Sequence, residues 1–185
     1  MRVRRATVPD AEAIARVHVR SWQVAYRGQL PDGLLDSLDP AERIPRWGAI
    51  LDETSWPGQG TLVVEDDIAT VVGFANLSPT RNADQDPDVI GEITSFYIDP
   101  TSWGQGAGRR LMTAALAALA TRFGSGTLWV LDTNSRARSF YESTGWRHDG
   151  AVKDDHVAGV QIHDLRYIHE LQSAPDKAHR DSDRR

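Results

Sequence analysis

The sequence predicts an α/β protein of the α+β type, with one mixed β-sheet that carries helices on both faces. Three observations lead to this fold class. Apolar residues recur at helical spacing through the first third of the chain, a β-rich hairpin follows, and the remainder alternates strands with helices. In the middle, a strand leads through a glycine-rich turn and a helix into another strand, a βα crossover that predicts a parallel pair.

Length and composition describe one ordinary globular domain. Of the 185 residues, 40% are hydrophobic and 25% charged, and the absence of cysteine excludes disulfides, thiolate metal ligands and a cysteinyl acyl-enzyme. The net charge of −5 disfavours nucleic acid as the main partner, because phosphate backbones require a basic surface. There is neither a signal-peptide segment nor an apolar run of the roughly 20 residues that cross a bilayer. We therefore expect no membrane partner and a cytoplasmic location.

The N-terminal part predicts one strand and three helices. A loosely alternating segment ends at Pro9-Asp10, which suits the first turn of a helix because proline is tolerated there and acids favour the positive end of the helix dipole. Leucines, isoleucines and tryptophans then recur at helical spacing. The predicted elements are a strand at residues 2–8, a helix from Pro9 to about Arg27, a short helix at 30–38 and a helix around 44–51.

The rest of the domain predicts six further strands and two helices. Asp66-Asp67 lies between two β-rich runs and predicts a hairpin, and a polar loop at 79–88 precedes the next strand. The predicted strands cover residues 61–65, 70–77, 89–98, 127–131, 146 onward and about 161–168, and the predicted helices cover 109–121 and 135–144. We expect residues 1–172 to form the domain and the polar, aperiodic residues 173–185 to be disordered.

A glycine-rich turn, Trp103-Gly104-Gln105-Gly106-Ala107-Gly108-Arg109-Arg110, joins a strand to a helix. Glycines allow a ligand to approach the backbone closely, and the free N–H groups of the first helical turn suit a phosphate. The turn lacks the Gly-Lys-Ser/Thr of a Walker A loop, and Arg109 occupies the third glycine position of a dinucleotide fingerprint. A tight structural turn without a ligand remains the alternative at this point.

Two segments together resemble the GCN5-related N-acetyltransferase (GNAT) family. The first is Glu92-Ile93-Thr94-Ser95-Phe96-Tyr97-Ile98-Asp99-Pro100 with the glycine turn, and the second is Leu131-Asp132-Thr133-Asn134, Ala137, Phe140-Tyr141-Glu142 and Gly145-Trp146. The order and spacing of the two segments match those of the family's signatures. The resemblance implies an acetyl-CoA-dependent N-acetyltransferase. It also implies a twisted, mostly antiparallel sheet of six to seven strands with a splayed parallel pair at the cofactor site.

The resemblance places acetyl-CoA between the splayed strands, with its diphosphate on the glycine turn and a main-chain N–H near Ile98 polarising the thioester carbonyl. Trp103 departs from the family, which usually has Gln or Arg there, so a side-chain contact to the cofactor falls to Arg109 or Arg110. The implied cofactor-binding residues are Phe96, Tyr97, Ile98, Trp103, Gly104, Gln105, Gly106, Ala107, Gly108, Arg109, Asn134 and Tyr141.

The same resemblance implies a general base at Glu92 and a general acid at Tyr141. An alkyl amine is mostly protonated at pH 7 and must lose a proton before it attacks, and the departing thiolate benefits from a proton donor. The alternatives are a solvated glutamate at a strand start, Asp99 or a water chain as the base, and a half-buried aromatic in place of the acid. Asn134 is expected to bond cofactor or water, with a helix N-cap as its alternative.

The acceptor is expected to be a primary amine of a small molecule or peptide, in a pocket lined by Trp22 and Tyr26. Trp47 and Trp56 are further aromatic candidates, although aromatics at helical spacing more often belong to the core. The Asp-rich loop 84–88 could attract a cationic amine. No metal is expected, because the spacing of the C-terminal histidines and aspartates matches no zinc pattern and is interpreted as a solvated hairpin. These residues are His148, Asp154, Asp155, His156, His163, Asp164 and His169.

Two other function classes remain open beside the enzyme. One is a non-catalytic acyl-CoA-binding sensor of the same fold, against which the presence of both Glu92 and Tyr141 argues. The other is a protein-interaction domain that uses the acidic surface. Many relatives dimerise, so a homodimer is a possible assembly.

Overall fold

A computed structural model describes residues 1–171, and the predicted disordered tail at 173–185 lies outside them. Five helices and seven strands make up this part of the chain. The helices are α1 (Ala11–Ala25), α2 (Asp32–Asp36), α3 (Pro40–Asp52), α4 (Ala107–Leu119) and α5 (Ser135–Ser143). The strands are β1 (Arg2–Arg5), β2 (Gly60–Glu65), β3 (Val71–Pro79), β4 (Ile90–Ile98), β5 (Ser125–Leu131), β6 (Arg147–Val157) and β7 (Val160–Glu170).

The seven strands form one mixed sheet in the order β1-β2-β3-β4-β5-β7-β6. Every neighbouring pair is antiparallel except β4 and β5, which are parallel and are connected through α4. The predicted fold class is therefore confirmed, including the single crossover. Because β7 is inserted between β5 and β6, the C-terminal strand lies beside the parallel pair.

Both faces of the sheet are covered, each by its own apolar cluster. On one face, Ile14 of α1 and Trp47 of α3 pack against Phe74 of β3. On the other, Leu111 of α4 and Tyr141 of α5 belong to the larger cluster. Each fully buried aliphatic or aromatic side chain stabilises the fold by roughly 1.5–3 kcal/mol, so the sheet between the two layers is held from both sides.

The first strand is shorter than the alternation in the sequence predicts. It ends at Arg5, and Val8–Asp10 form a 3-10 turn. The buried carboxylate of Asp10 accepts hydrogen bonds from the Thr7 main-chain N–H and from Arg4 Nη1, both at 2.8 Å. These local bonds bend the chain out of the sheet, and the hydrogen bond from Arg4 lowers the pKa of Asp10.

The last two strands join in a tight hairpin, and the final strand extends beyond the predicted residues 161–168 at both ends. Ala158 and Gly159 form the turn, with φ of 50° and 80°. Two successive residues with positive φ match the handedness of a two-residue hairpin turn. The turn pairs β6 with β7 over most of their length and extends β7 along β5.

Candidate active site

The parallel strands β4 and β5 separate after a short paired stretch. Within residues 1–171 their pairing runs only from Ile90 opposite Ser125 to Glu92 opposite Thr127, although both strands continue well beyond it. A cleft of about 920 Å³ opens between the diverging ends and is lined by both strands, α1, α4 and α5. The predicted splayed pair is confirmed.

A register shift explains the direction in which β4 leaves β5. In the pairing between β3 and β4, Leu77 lies opposite Ile93 but Asn76 lies opposite Ser95, so one residue of β4 is extra. This slip comes just after Glu92, the last residue of β4 that pairs with β5. Such bulges bend a strand and increase its twist. The bent stretch is held by polar side chains, since Thr61 donates to Asn76 at 2.9 Å and Asn76 donates to Thr94 at 2.8 Å.

The divergence leaves main-chain groups of β4 facing the cleft. The Asp99 N–H donates to the Val72 carbonyl of β3 at 2.8 Å. Because successive residues of a strand direct their polar groups to opposite edges, Tyr97 faces β3 while Phe96 and Ile98 face the gap. Their N–H groups lie where an extended amide chain can add as a strand.

The carbonyl of Ile98 is already paired. It accepts hydrogen bonds from Ser21 Oγ at 3.1 Å and from Trp103 Nε1 at 2.8 Å. The Trp103 ring in turn lies under the guanidinium of Arg136, 4.0 Å from its centroid, which links the glycine turn to the start of α5. Trp103, which stands where the family usually has Gln or Arg, therefore links the glycine turn to α5. Arg136 adds a positive charge to the wall of the cleft.

The glycine turn forms an open cradle at the start of α4. Gly104 and Gly106 have φ of 75° and 87°, a region that favours glycine, and α4 begins at Ala107. A Cβ at Gly104 or Gly106 would meet no atom within 4 Å, so neither glycine is required by packing against protein. The positive φ values turn the chain so that the first N–H groups of α4 face open space, as an anion site requires.

The predicted cofactor residues divide between the cleft wall and its support. Gly104, Gly106, Gly108 and Arg109 line the cleft with Trp103. Ala107 is fully buried, and Gln105 is exposed with its Nε2 donating to the Thr101 carbonyl at 2.9 Å. Asn134 lines the cleft, and its side chain also caps α5 by accepting from the Ala137 N–H at 3.1 Å, so the N-cap alternative holds for Oδ1.

Tyr141 projects from α5 into the apolar cluster beside the cleft. Its ring lies 6.2 Å from Phe96 and 5.6 Å from Phe140, and it is 7% exposed. Burial, together with the nearby Tyr97, raises the pKa of Tyr141 above its usual value, so the hydroxyl is protonated near neutral pH. Tyr141 lines the cleft, and within the described residues no side chain hydrogen-bonds its hydroxyl.

Glu92 is buried rather than solvated. It is 3% exposed, lines the cleft and lies at the point where β4 and β5 separate. Both carboxylate oxygens accept from Arg81: the main-chain N–H and guanidinium Nη2 each lie 2.9 Å away. The guanidinium side is open, because the Arg81 side chain is 69% exposed.

The Asp99 carboxylate forms hydrogen bonds within the turn that follows β4. One carboxylate oxygen accepts from the Thr101 N–H at 3.0 Å and from its hydroxyl at 2.6 Å, and the other pairs with Arg20 at 3.1 Å. Asp99 is not among the residues that line the cleft. The geometry assigns it to the N-cap of a short 3-10 turn at Pro100–Ser102, in agreement with the turn that Asp-Pro favours at this point.

An aromatic wall closes the end of the cleft opposite α5. The Trp22 indole donates to the Tyr97 hydroxyl at 3.0 Å, and the Trp22 and Tyr26 rings are 5.0 Å apart. Burial, followed by the nearby Tyr97, raises the pKa of Tyr26. Trp22 and Tyr26 line the cleft, whereas Trp47 belongs to the core and Trp56 packs under Arg5.

His18 supports this wall from behind and stays neutral. Its ring stacks on Tyr97 at 4.9 Å, and its Nδ1 accepts from the Trp47 indole at 3.3 Å. Burial and the positive charges of Arg43 and Arg46 lower the pKa of His18 to about 3. At neutral pH the imidazole is therefore an uncharged aromatic that positions Tyr97.

The Asp-rich loop is fastened to the sheet through Asp84, and none of its residues 84–88 lines the cleft. Asp84 pairs with Arg166 at 2.7 Å, and Arg166 also pairs with Asp149 at 2.7 Å. Asn82 Oδ1 accepts from the Trp129 indole at 2.9 Å. These contacts hold the loop beside the end of β5 and bring Arg81 to Glu92.

Several cleft residues lie outside the positions predicted to bind cofactor or acceptor. Asp164 of β7 and Trp129 of β5 line the cleft, with Lys153 and Asp155 of β6. Asp164 was interpreted as part of a solvated hairpin, but it is only partly exposed and lines the cleft, because the sheet order places β7 beside β5. In residues 1–171 no cluster of His, Asp and Glu could hold a metal ion, and no helix has the length and apolarity to cross a membrane.

Comparison with known proteins agrees with this geometry. The model of the Acetyltransferase (GNAT) family matches residues 20–146. An uncharacterised N-acetyltransferase of Bacillus subtilis, YuaI, is 30% identical over 165 residues, which are 88% of this chain and 89% of the relative. One from Archaeoglobus fulgidus is 32% identical over 148 residues, 80% of this chain and 93% of the relative.

Solved structures share the fold. A ribosomal-protein-alanine N-acetyltransferase from Brucella melitensis superposes with a TM-score of 0.71 at 20% identity, covering 92% of this chain and 100% of the other. The PaiA N-acetyltransferase from Thermoplasma acidophilum, solved in complex with coenzyme A, has a TM-score of 0.66 at 18% identity, covering 91% and 98%.

Proposed function

The chain belongs to the Acetyltransferase (GNAT) family and is an N-acetyltransferase, and from this premise we propose that it moves an acetyl group from acetyl-CoA to a primary amine by direct attack in a ternary complex. The acceptor is an amine of a small molecule or peptide. One observation carries the proposal: the opened β4–β5 pair, the glycine cradle, Glu92 and Tyr141 all border the same cleft.

The cofactor fits the wall formed by β4, α4 and α5. The cradle at Gly104 and Gly106 leaves space that side chains would fill, and the N–H groups of the first α4 turn suit a diphosphate. The gap-facing groups of Phe96 and Ile98 suit the amides of a pantetheine arm. When bound, acetyl-CoA supplies the activated acetyl thioester.

The main chain of β4 also provides a donor for the reacting carbonyl. The N–H groups of Phe96 and Ile98 face the gap, which favours this stretch for polarising the thioester oxygen. A donor aimed at developing negative charge contributes about 3–4 kcal/mol to the lowering of a barrier. The bulge and the Thr61–Asn76–Thr94 contacts hold this stretch in place before substrate binds.

Glu92 accepts the proton that the attacking nitrogen must lose. Its position at the fork of the two strands places a buried carboxylate beside the start of the gap. Both of its oxygens are engaged by Arg81, so proton acceptance requires this ion pair to open toward solvent or to relay through water. The largely exposed guanidinium of Arg81 permits such opening.

Tyr141 donates its proton to the departing thiolate sulfur. A proton donor must be protonated in the resting enzyme, and burial maintains that state by raising the pKa of Tyr141. Its hydroxyl makes no hydrogen bond to the described side chains and is free for a ligand. The ring contacts with Phe96 and Phe140 orient it.

An acetylation screen tests the proposal. The purified chain and acetyl-CoA are incubated with diamines, aminoglycosides, amino acids and short peptides, and thiol release and product mass are measured. We expect a mass gain of one acetyl group on at least one amine. Coenzyme A binding without turnover across the panel would favour the sensor, and failure to bind any CoA species would favour the interaction domain.

The Glu92→Gln variant tests the base. Its rate should fall most at pH values where the acceptor is protonated, so its pH–rate profile should differ from that of the parent. Glu65→Gln is a matched control, because Glu65 is also buried and also paired with an arginine, but lies outside the cleft. A Glu92→Gln profile that overlays the parent would remove Glu92 from this role.

A further inference from the structure

One carboxylate in the acceptor end of the cleft has no partner. Asp164 is partly buried and lines the cleft, and within residues 1–171 no side chain hydrogen-bonds or ion-pairs with it. Its cross-strand neighbour is Lys153, but the Lys153 ammonium lies 3.8 Å from Asp155 instead. The other two anions that line the cleft are both paired, Asp155 with Lys153 and Glu92 with Arg81.

Asp164 lines the same cleft as Trp22 and Tyr26 of the aromatic wall. After burial, which is the main cause, its charge is a minor contribution to the raised pKa of Tyr26 and of Tyr97. Burial raises the pKa of Asp164 itself, and Asp155 and Asp132 add to this while Lys153 opposes it. An anion that is partly desolvated and unpaired binds a cation well, because pairing offsets its desolvation.

The register separates this carboxylate from the proposed base, Glu92. Glu92 pairs with Thr127 at the fork, whereas Asp164 pairs with Leu131, four residues further along β5. At about 3.3 Å per residue this is about 13 Å along the strand. Asp164 therefore lies apart from Glu92 along the strands, and it meets the acceptor at a different point from the proposed base.

We propose that Asp164 binds a second cationic group of the acceptor, so that the enzyme selects diamines and related polycations over monoamines. This inference rests on the proposed amine acetylation and names its substrate class. Tyr26, Trp22 and Trp129 form the walls along which the carbon chain of such an acceptor lies. Aromatic faces suit both the methylene groups and the cationic end.

The experiment compares α,ω-diaminoalkanes of four to ten carbons with monoamines of the same length. For the parent enzyme we expect a diamine of suitable length to have a kcat/KM roughly 10- to 100-fold above that of its monoamine, as a hydrogen-bonded charge pair provides. In Asp164→Asn the preference should collapse, mainly through a higher KM for the diamine, while monoamine kinetics stay within about threefold.

Asp154→Asn is the matched control. Asp154 is the neighbouring aspartate of the same hairpin, but it pairs with His163 and does not line the cleft. It should retain the diamine preference. The inference would be overturned if the diamine preference persists in Asp164→Asn, or if the parent enzyme acetylates diamines and monoamines equally well. Either result would leave the proposed amine acetylation intact. The absence of acetylation of any amine would instead overturn the proposed function.

A stability measurement separates binding from structural damage. Because the pKa of Asp164 is raised in the folded state, its ionisation opposes folding as the pH rises above the ordinary aspartate range. Asp164→Asn should therefore have a Tm equal to or above that of the parent at pH 7.5 while it loses diamine selectivity. A clear drop in Tm would mean that Asp164 has a structural role, and would overturn the assignment.

Discussion

Replacing Tyr141 by phenylalanine removes the phenolic hydroxyl and leaves the ring in place. The ring keeps its packing against Phe96, Phe140, Trp146 and Tyr167, with centroids 5.6–6.3 Å apart. The lost hydroxyl has no side-chain hydrogen bond within the described residues, so the free energy of unfolding should change by less than about 1 kcal/mol. The variant therefore isolates proton donation from folding.

The expected effect on rate follows from the role proposed for the hydroxyl. General acid catalysis contributes about 10²- to 10⁴-fold, and a thiolate is a good leaving group, so we expect the lower end. A fall of about 100-fold in kcat corresponds to about 2.7 kcal/mol. The dissociation constant for acetyl-CoA should change by less than about threefold, because the cradle and the β4 main chain are untouched.

The assay measures thiol release under single-turnover conditions, so that slow product release does not conceal the chemical step. Tyr167→Phe is the matched control, because Tyr167 is fully buried in the same cluster and does not line the cleft. Its hydroxyl donates to Glu142 at 2.8 Å and accepts from Arg138 at 3.3 Å, so this variant should lose about 1–2 kcal/mol of stability. A Tyr141→Phe rate equal to the parent's, or an equal fall in both variants, would refute the argument.

Two further changes address the cradle and the fold. In calorimetric titrations, Gly106→Asp should weaken coenzyme A binding about 100-fold more than Gly106→Ala does. Both substitutions strain the positive φ of 87°, but only aspartate repels the negative charge of the diphosphate. Equal affinities of the two variants would show that the diphosphate does not bind at Gly106. Asp10→Asn should destabilise the protein by about 1–3 kcal/mol at pH 7 in urea, because the lowered pKa of Asp10 adds stability above the ordinary aspartate range. That difference should shrink as the pH falls below about 4, and a constant difference would contradict the ion-pair explanation.

The residues proposed to bind the cofactor could be grouped from the sequence because they are close together in the chain. Gly104 and Gly106 stand between β4 and α4, and Asn134 and Tyr141 belong to one loop and helix, so local spacing is enough to place them. Trp103 and Arg136 were harder, because their contact joins two elements that are 33 positions apart in the chain. Nothing in the spacing of either residue indicates that contact.

The burial of Glu92 could not be predicted from the local sequence pattern. A solvated side chain was the alternative to a general base at this strand start, yet Glu92 is buried and hydrogen-bonded to Arg81 of the 79–88 loop. That loop is fastened by Asp84 to Arg166, a contact across 82 positions. The environment of Glu92 therefore depends on the last strand of the sheet, which local spacing around residue 92 does not encode.

The sheet order explains why the acceptor end is specified apart from the cofactor end. β7 is the last strand in the chain but lies between β5 and β6, so its side chains border the cleft that β4 and β5 open. Asp164 can change without altering any residue of the cradle, the fork or α5, the elements proposed to handle the thioester. On the proposal above, a substitution at Asp164 changes which amine is held while the acetyl-transfer geometry is conserved, because Asp164 pairs with Leu131, four residues beyond the fork. Residue 164 therefore carries information about the acceptor that the two motifs identifying the family do not contain.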